Sequence, residues 1–194
     1  AAIGSVTLTW EQWWSALLGP GSEFGELVWR IRLPRATAAW TVGALLSLSG
    51  CLMQVLLRNP LADPYILGVS GGASFAALFG MSVGVAAALL PALAWGGALL
   101  SILIVFGLAR GEGPWSGTRL LLTGVVTASG WAALISLLLT LGPDGSLRGM
   151  LFWLMGDLSY AYAPAQSLWL LGIITLLGIV SARHLNVLAR GDLQ

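Results

Sequence analysis

The segment that decides the fold comprises residues 58–74, with the sequence RNPLADPYILGVSGGAS. Two X-Pro pairs and two charged residues, Arg58 and Asp63, lie directly before an apolar, glycine-rich run. Proline biases the preceding residue away from helix, and backbone exposed to lipid must satisfy its own hydrogen bonds. The segment therefore predicts the end of one apolar helix, a reversal where the chain meets water or protein, and a second helix starting at Pro64 or Tyr65.

The composition of the whole chain is typical of a membrane protein. Hydrophobic residues make up 57% of its 194 residues, charged residues make up only 9%, and the mean hydropathy is +0.87. These values leave too little polar surface for a soluble globular protein. The net charge is only +1, and the sequence has no basic stripe beyond Arg30, Arg32 and Arg35, so we expect no nucleic-acid partner.

Residue types that are rare in this sequence exclude several kinds of site. All nine basic residues are arginine, whereas a Walker A loop needs a lysine to reach the terminal phosphates of ATP. Any ATP chemistry would therefore belong to a partner. One cysteine, Cys51, and one histidine, His184, argue against an intrachain disulfide and against a self-contained metal site. We expect neither a cofactor nor a bound metal.

Charge-free windows predict an all-α, polytopic transmembrane helix bundle with about five spans. One span needs about 20 apolar residues, and a charge at the bilayer centre is costly. The predicted spans are residues 36–57, 65–81, 89–109, 119–141 and 165–182. Residues 146–155 are too few to cross and predict a short interfacial helix with Ser146 as its N-cap. Residues 1–194 are treated as a single transmembrane domain.

Small residues recur at helical spacing within the first two predicted spans, a pattern typical of helices that pack closely in membranes. The packing candidates are Gly43, Gly50, Gly68, Gly72 and Gly80. Gln54 continues the face that carries the first two of these glycines. An amide within a span needs either a helix partner or a water-filled path, and both alternatives stay open.

A resemblance to a known family rests on residues 30–80, which read RIRLPRATAAWTVGALLSLSGCLMQVLLRNPLADPYILGVSGGASFAALFG. This stretch resembles the permease subunits of bacterial ABC importers for iron-siderophores, haem and cobalamin, often called the FecCD type. The downstream motifs TRLLLTGV (residues 118–125), LRGMLFWLMG (147–156) and LNVLARGD (185–192) resemble the same family in the same order. The resemblance therefore covers nearly the whole chain.

The resemblance implies a multi-pass permease of the bacterial inner membrane, working as a homodimer or beside a paralogous permease. It is not an enzyme: cytoplasmic ABC ATPase subunits would drive transport, and a periplasmic or lipid-anchored binding protein would deliver the substrate. Arg32 and Arg35 would meet acidic residues of that binding protein, since guanidinium groups pair well with carboxylates. Asn186, Gly191 and Asp192 would lie in the ATPase-coupling region. Similar permeases have another span before this region and several after it, so we expect this chain to be a fragment.

The polar residues predicted to line a translocation path are Ser47, Gln54, Thr123 and Thr127. A secondary transporter of a small polar solute is the alternative function, and it would normally place an ionisable residue within a span. An intramembrane enzyme would need an activated nucleophile or a metal cluster. The charge-free windows contain no acidic residue or histidine. The sequence therefore favours an importer permease for an iron-siderophore, haem or cobalamin-type chelate.

Overall fold

The computed structural model describes residues 7–60, 62–110, 116–142, 144–156, 158 and 164–190, and these form helices and short connections. The α-helices are α1 (Trp10–Leu18), α2 (Glu23–Glu26), α3 (Leu33–Leu57), α4 (Val69–Ser82), α5 (Leu90–Ala109), α6 (Gly117–Leu141), α7 (Asp144–Met155) and α8 (Pro164–Arg190). A π-helical turn, Leu27–Arg32, joins α2 to α3, and two 3-10 turns, Pro64–Leu67 and Ala87–Leu89, precede α4 and α5. The predicted all-α class is confirmed.

Four helical stretches are long and apolar enough to cross a membrane, which supports a multi-pass membrane protein. They are Phe24–Leu57, Ala87–Ala109, Gly117–Leu141 and Ala165–Arg183. The 14 residues of α4 are also apolar. At 1.5 Å per residue they extend about 21 Å, less than a hydrocarbon core of about 30 Å. A crossing by residues 65–81 therefore stays a prediction.

The first long helix begins well before residue 36, where the sequence predicts its start. Pro34 has no N–H and its ring crowds the carbonyl of Arg30, four residues earlier. The π turn widens the helix at this point, and the N–H of Leu33 bonds the carbonyl of Val28 instead. The helix thus continues through the proline from Phe24 to Leu57.

The last helix is longer than the span that it contains. We expect a span over residues 165–182, the apolar stretch long enough to cross a membrane is Ala165–Arg183, and α8 continues to Arg190. The physical reason is that no glycine or proline interrupts residues 183–190, and the first helix-breaking residue is Gly191.

The chain divides into two compact units, one of Ala1–Cys51 with Leu158–Gln194 and one of Leu52–Asp157. The single-domain assignment stays a prediction. In the first unit, α1 folds back against the start of the long helix. There Trp29 Nε1 donates a hydrogen bond to the Ala16 carbonyl over 3.1 Å, and Ala16 and Val28 are fully buried.

In the second unit, α4, α5 and α6 pack around a core of Leu67, Val105, Ala109 and Leu120. Helix α7 contacts α4, and its Met150 is fully buried. Ser146 is not the N-cap predicted from the sequence, because α7 already begins at Asp144. The interfacial position of α7 stays a prediction.

Candidate functional site

The connection between α3 and α4 has irregular backbone at the residues that the structure describes. Helix α3 ends at Leu57, and Arg58 adopts a left-handed conformation with φ +48°. Arg58 therefore follows the helix and does not belong to its last turn. The N–H of Asn59 then bonds the Gln54 carbonyl at 3.1 Å, which closes the helix end.

Asp63 and Pro64 fix the short turn that follows. The Asp63 carboxylate accepts a hydrogen bond from the Tyr65 N–H at 2.8 Å, and Pro64 supplies the restricted φ of a first helical position. The resulting 3-10 turn ends at Gly68, whose φ of +66° is left-handed. The predicted helix start at Pro64 or Tyr65 is therefore wrong: the α-helix begins at Val69, because a left-handed residue interrupts it.

This break lies deep along the neighbouring helices. A Cβ added at Gly68 would be 3.2 Å from the Ala128 backbone N and 3.2 Å from Ser101 Oγ. Ala128 is about 16 Å along α6 from its first residue, and Ser101 is about 12 Å from the corresponding end of α5, at 1.5 Å per residue. The connection starts beside Gly117, the first residue of α6, and its last residues, 66–68, are recessed to about one third to one half of the length of two candidate spans. We call residues 66–68 the recessed segment.

Ser101 bonds the carbonyl groups at this break, of which the Gly68 carbonyl also accepts the Gly72 N–H at 2.9 Å. Its Oγ donates to the Gly68 carbonyl at 2.9 Å and lies 3.3 Å from the Leu67 carbonyl. It accepts a hydrogen bond from Trp131 Nε1 at 3.0 Å, and Ser101 itself is fully buried. These three helix-to-helix contacts, here called the Ser101 clasp, tie the recessed segment to α5 and α6.

Glycines allow the surrounding helices to approach closely enough for the clasp to form. A Cβ at Gly97 would overlap the Gly72 carbonyl, and one at Gly71 would lie 2.7 Å from Trp131 Cβ. A Cβ at Gly124 would lie 2.5 Å from the Ile66 carbonyl oxygen. The contact between α4 and α5 is therefore a backbone-to-backbone crossing that only glycine permits.

The predicted packing glycines fall into three environments. Gly72 lies at the crossing with α5, and a Cβ at Gly80 would be 2.6 Å from Leu93 Cδ1. Gly68 lies at the break before α4 and is not a member of its packing face. At Gly43 and Gly50 on α3, an added Cβ would meet nothing within 4 Å among the described residues. Packing against these two positions stays a prediction.

The predicted path residues lie on two helices. Ser47 on α3 donates to the Gly43 carbonyl at 2.8 Å, and Gln54 is exposed near the end of the same helix. Thr123 and Thr127 are one turn apart on α6 and half-buried. The structure thus brings the two threonines together, and their role in a path stays a prediction.

Both threonines bond their own helix. Thr123 Oγ1 donates to the Arg119 carbonyl and Thr127 Oγ1 to the Thr123 carbonyl, each at 2.8 Å. Each hydroxyl has thereby used its one donor and keeps only its acceptor lone pairs for other molecules.

A second hydroxyl face on α6 is absent from the sequence interpretation. Ser129, Ser136 and Thr140 are exposed, lie within about 40° of each other around the helix, and each bonds a carbonyl four residues earlier. Their spacing of seven and four residues is the signal that could have revealed them. The clasp residues Ser101 and Trp131 were also missed.

The predicted docking arginines lie in or directly after the π turn. Arg32 is half-buried, and Arg35 on α3 is exposed. Between α2 and this turn, Arg30 Nη1 lies 3.5 Å from Glu26 Oε1 in a solvent-exposed ion pair. The structure therefore gathers three arginines at the start of the long helix, and the docking role of two of them stays a prediction.

The predicted ATPase-coupling residues are at the end of the chain. Asn186 lies within α8, whereas Gly191 and Asp192 lie outside the described residues. Within the described part of the chain, no three His, Cys, Asp or Glu side chains come together as a metal site would require.

A small cavity opens between α4 and α6, lined by Ser82, Leu137, Leu138, Leu141 and Gly142. Its volume of about 300 Å³ is at the lower limit of pockets for small ligands, and its lining is largely apolar. A large polar chelate would therefore need a different path.

Comparison with known proteins gives consistent results. The sequence model of the FecCD transport family matches residues 1–194. The chain is 37% identical over 194 residues to YvrB, an uncharacterised ABC transporter permease of Bacillus subtilis, covering 94% of this chain and 54% of the relative. It is 38% identical over 194 residues to BtuC, the vitamin B12 import system permease of Escherichia coli, covering 95% of this chain and 57% of BtuC.

A solved structure agrees with these relatives. It is an inward-facing ABC transporter assigned to the metal-chelate type, similar with a TM-score of 0.72 and 26% sequence identity over 90% of this chain and 59% of that chain. The chain thus spans somewhat more than half the length of the curated relatives it matches.

Proposed function

The chain belongs to the FecCD transport family, and from this premise we propose that the full protein is a permease subunit of an ABC importer in a bacterial inner membrane. Its substrate is an iron-siderophore, haem or cobalamin-type chelate. ATP is hydrolysed on partner subunits, so the permease itself is not an enzyme. The family match along the whole chain carries this proposal, and relatives described as vitamin B12 and metal-chelate transporters support the substrate class.

The recessed segment supports a transport role on physical grounds. Irregular backbone at membrane depth is tolerated only where protein buries it or where it borders a water-filled cavity. Transporters use such breaks near their substrate paths. We therefore propose that the recessed segment and the neighbouring face of α6 with Thr123 and Thr127 border the path.

The hydroxyl groups of this wall suit a passing substrate. Conduction requires contacts that are favourable enough for entry and weak enough for release. Because Thr123 and Thr127 already donate to carbonyls of α6, each offers a chelate only the acceptor lone pairs of its hydroxyl oxygen.

Partner assignments follow from the same premise. Two cytoplasmic ATPase subunits act on the coupling region near Asn186, and a second permease copy or a paralogue completes the path. A binding protein presents the chelate and docks through carboxylates that pair with Arg32 and Arg35. Such charge pairs at an interface set register and association rate more than they set affinity.

Docking is tested by uptake in proteoliposomes that contain the full permease and its ATPase, with the binding protein and a radiolabelled chelate added. The probes are cyanocobalamin and a ferric siderophore, each with its matching binding protein. Arg32→Glu with Arg35→Glu should abolish uptake, and carboxylate-to-lysine changes on the binding protein should restore it. Arg30→Glu is the matched control, because it reverses a neighbouring charge that the docking assignment does not include. Normal uptake by the double variant would refute the docking assignment.

A further inference from the structure

The first helix of the chain carries an apolar face that nothing in the described structure covers. Trp10, Trp14 and Leu18 follow each other at four-residue spacing on α1 and are 75%, 51% and 82% exposed. The two indole rings contact each other edge to face, with centroids 5.8 Å apart. Three large apolar side chains therefore form one continuous surface, here called the α1 face.

Helix α1 is held in place, so this surface has a fixed orientation relative to the long helix. Its N-terminus is closed by a capping box in which the Thr9 N–H bonds Gln12 Oε1 at 2.9 Å. Its opposite side buries Ala16 completely, and the Ala16 carbonyl accepts the hydrogen bond from Trp29 Nε1. The exposed face is therefore not the result of a loosely attached terminus.

The chain turns sharply between α1 and α2. A Cβ at Gly25 would overlap the Gly19 carbonyl and would lie 2.7 Å from the Pro20 carbonyl oxygen. This close approach leaves α1 little freedom to swing away from the start of the long helix. What covers the α1 face must therefore lie beside that end of the helix.

The position along the long helix identifies the environment. Phe24–Leu57 is a candidate membrane span of 34 residues, about 51 Å at 1.5 Å per residue, and a whole bilayer with its headgroups is about 40–45 Å thick. Its charged residues, from Glu26 to Arg35, keep its first part outside the hydrocarbon core. Trp29, against which α1 packs, lies about 10 Å before the charge-free window that begins at Ala36.

That distance exceeds the headgroup layer, which is about 5–8 Å thick on each side of the bilayer, by only a few ångströms, so α1 lies at the outer edge of that layer. Tryptophan is the residue type enriched in this layer, and an amphipathic helix lies flat there with its apolar face at the acyl boundary. We propose that α1 is an interfacial membrane anchor whose Trp10, Trp14 and Leu18 insert between lipid headgroups. The partner is the phospholipid surface of the same bilayer that the long helix crosses. This inference rests on membrane insertion alone and goes beyond the proposed transport function.

Spin labels on the full protein reconstituted in phosphatidylcholine and phosphatidylglycerol vesicles test the proposal. Cys51 and any other native cysteine are first replaced by serine, and single cysteines then carry a nitroxide in Leu18→Cys, Trp14→Cys and Ser15→Cys variants. Ser15 is the matched control, because it is exposed on the same helix about 100° around the axis from Trp14. Frequent collision of the nitroxide with oxygen shows that the label lies in lipid. Frequent collision with a water-soluble nickel chelate shows that it lies in water.

Labels at positions 14 and 18 should show a several-fold higher ratio of oxygen to nickel accessibility than the label at position 15. A high nickel accessibility at position 18 would overturn the proposal by showing an aqueous face. Low accessibility to both reagents would also overturn it, since another protein segment would then cover the α1 face. Leu18→Cys should retain transport, so a failure of the anchor proposal is distinguishable from a failure of the proposed function.

Discussion

Replacing Ser101 with alanine removes one oxygen atom and keeps the Cβ that faces Gly72 across the α4–α5 crossing. The packing of this site is therefore preserved, and the change isolates the hydrogen bonds of the Ser101 clasp. Two groups lose a hydrogen bond at once: the Trp131 indole N–H loses its acceptor, and the Gly68 carbonyl keeps only the Gly72 N–H. Both belong to elements that the clasp ties to α5.

The expected loss of unfolding free energy is about 1–3 kcal/mol. An unsatisfied buried polar group costs about 1–3 kcal/mol in proteins generally. Hydrogen bonds between membrane helices average only about 0.6 kcal/mol, with a maximum near 1.7 kcal/mol, because the unfolded helices also find partners. The loss of two hydrogen bonds between membrane helices is therefore expected to cost about as much free energy as one fully unsatisfied buried group.

The assay is unfolding of the purified full protein in mixed detergent micelles, with increasing denaturing detergent. Ser136→Ala is the matched control: its Oγ is exposed and bonds only the Ala132 carbonyl of its own helix, at 2.9 Å. The control should remain within about 0.5 kcal/mol of the parent. Equal stability of the Ser101 and Ser136 variants would refute the reasoning.

A double-mutant cycle separates the indole bond from the rest of the clasp. Trp131→Phe removes the Nε1–H donor but keeps an aromatic ring near Phe75, whose ring centroid is 5.3 Å from that of Trp131. Combined with Ser101→Ala, it should show a coupling energy of about 0.6–1.7 kcal/mol. Independent effects of the two substitutions would contradict a direct bond between them.

Two further predictions use glycines with matched controls. Gly97→Ala should destabilise the protein by about 1–3 kcal/mol through overpacking, because the added Cβ would overlap the Gly72 carbonyl. Gly96→Ala is the control: its Cβ would meet open space, so the substitution should be neutral or stabilising in the same unfolding assay. Gly68→Ala should lower the free energy of unfolding more than Gly84→Ala. Both glycines have a left-handed φ, which costs any other residue about 1–2 kcal/mol, but only the Cβ added at Gly68 would be crowded by neighbouring atoms. Equal losses within either pair, measured in that assay, would contradict the packing at these sites.

The architecture could be predicted from the sequence because membrane insertion depends on local composition. Charge-free windows of about 20 residues predict spans regardless of tertiary contacts. The helix boundaries Leu57, Ala109 and Leu141 in the structure coincide with the predicted ends. The π turn before Pro34 was not predicted, since a proline normally indicates a helix boundary.

The break at Gly68 was missed for a different reason. Packing glycines and left-handed glycines use the same residue type, and the four-residue spacing with Gly72 favours the packing interpretation. The left-handed φ of +66° and the contacts with Ala128 and Ser101 distinguish the two roles.

The Ser101 clasp could not be predicted because it is long-range. Ser101 lies 33 residues from Gly68 and 30 from Trp131 along the chain. A serine in an apolar helix most often bonds its own helix, as Ser136 does. The family resemblance provided what periodicity could not, namely the order of the motifs along the whole chain.

The most direct test of the central claim is a measurement of which energy source drives uptake. The full permease is reconstituted with its ATPase and binding protein, and accumulation of radiolabelled cyanocobalamin and of a ferric siderophore is measured under two conditions. One condition supplies ATP to the ATPase side without an ion gradient, and the other supplies a proton or sodium gradient without ATP. An ABC importer predicts accumulation of one of these chelates only with ATP, whereas accumulation driven by the gradient alone would contradict the account and favour a secondary transporter.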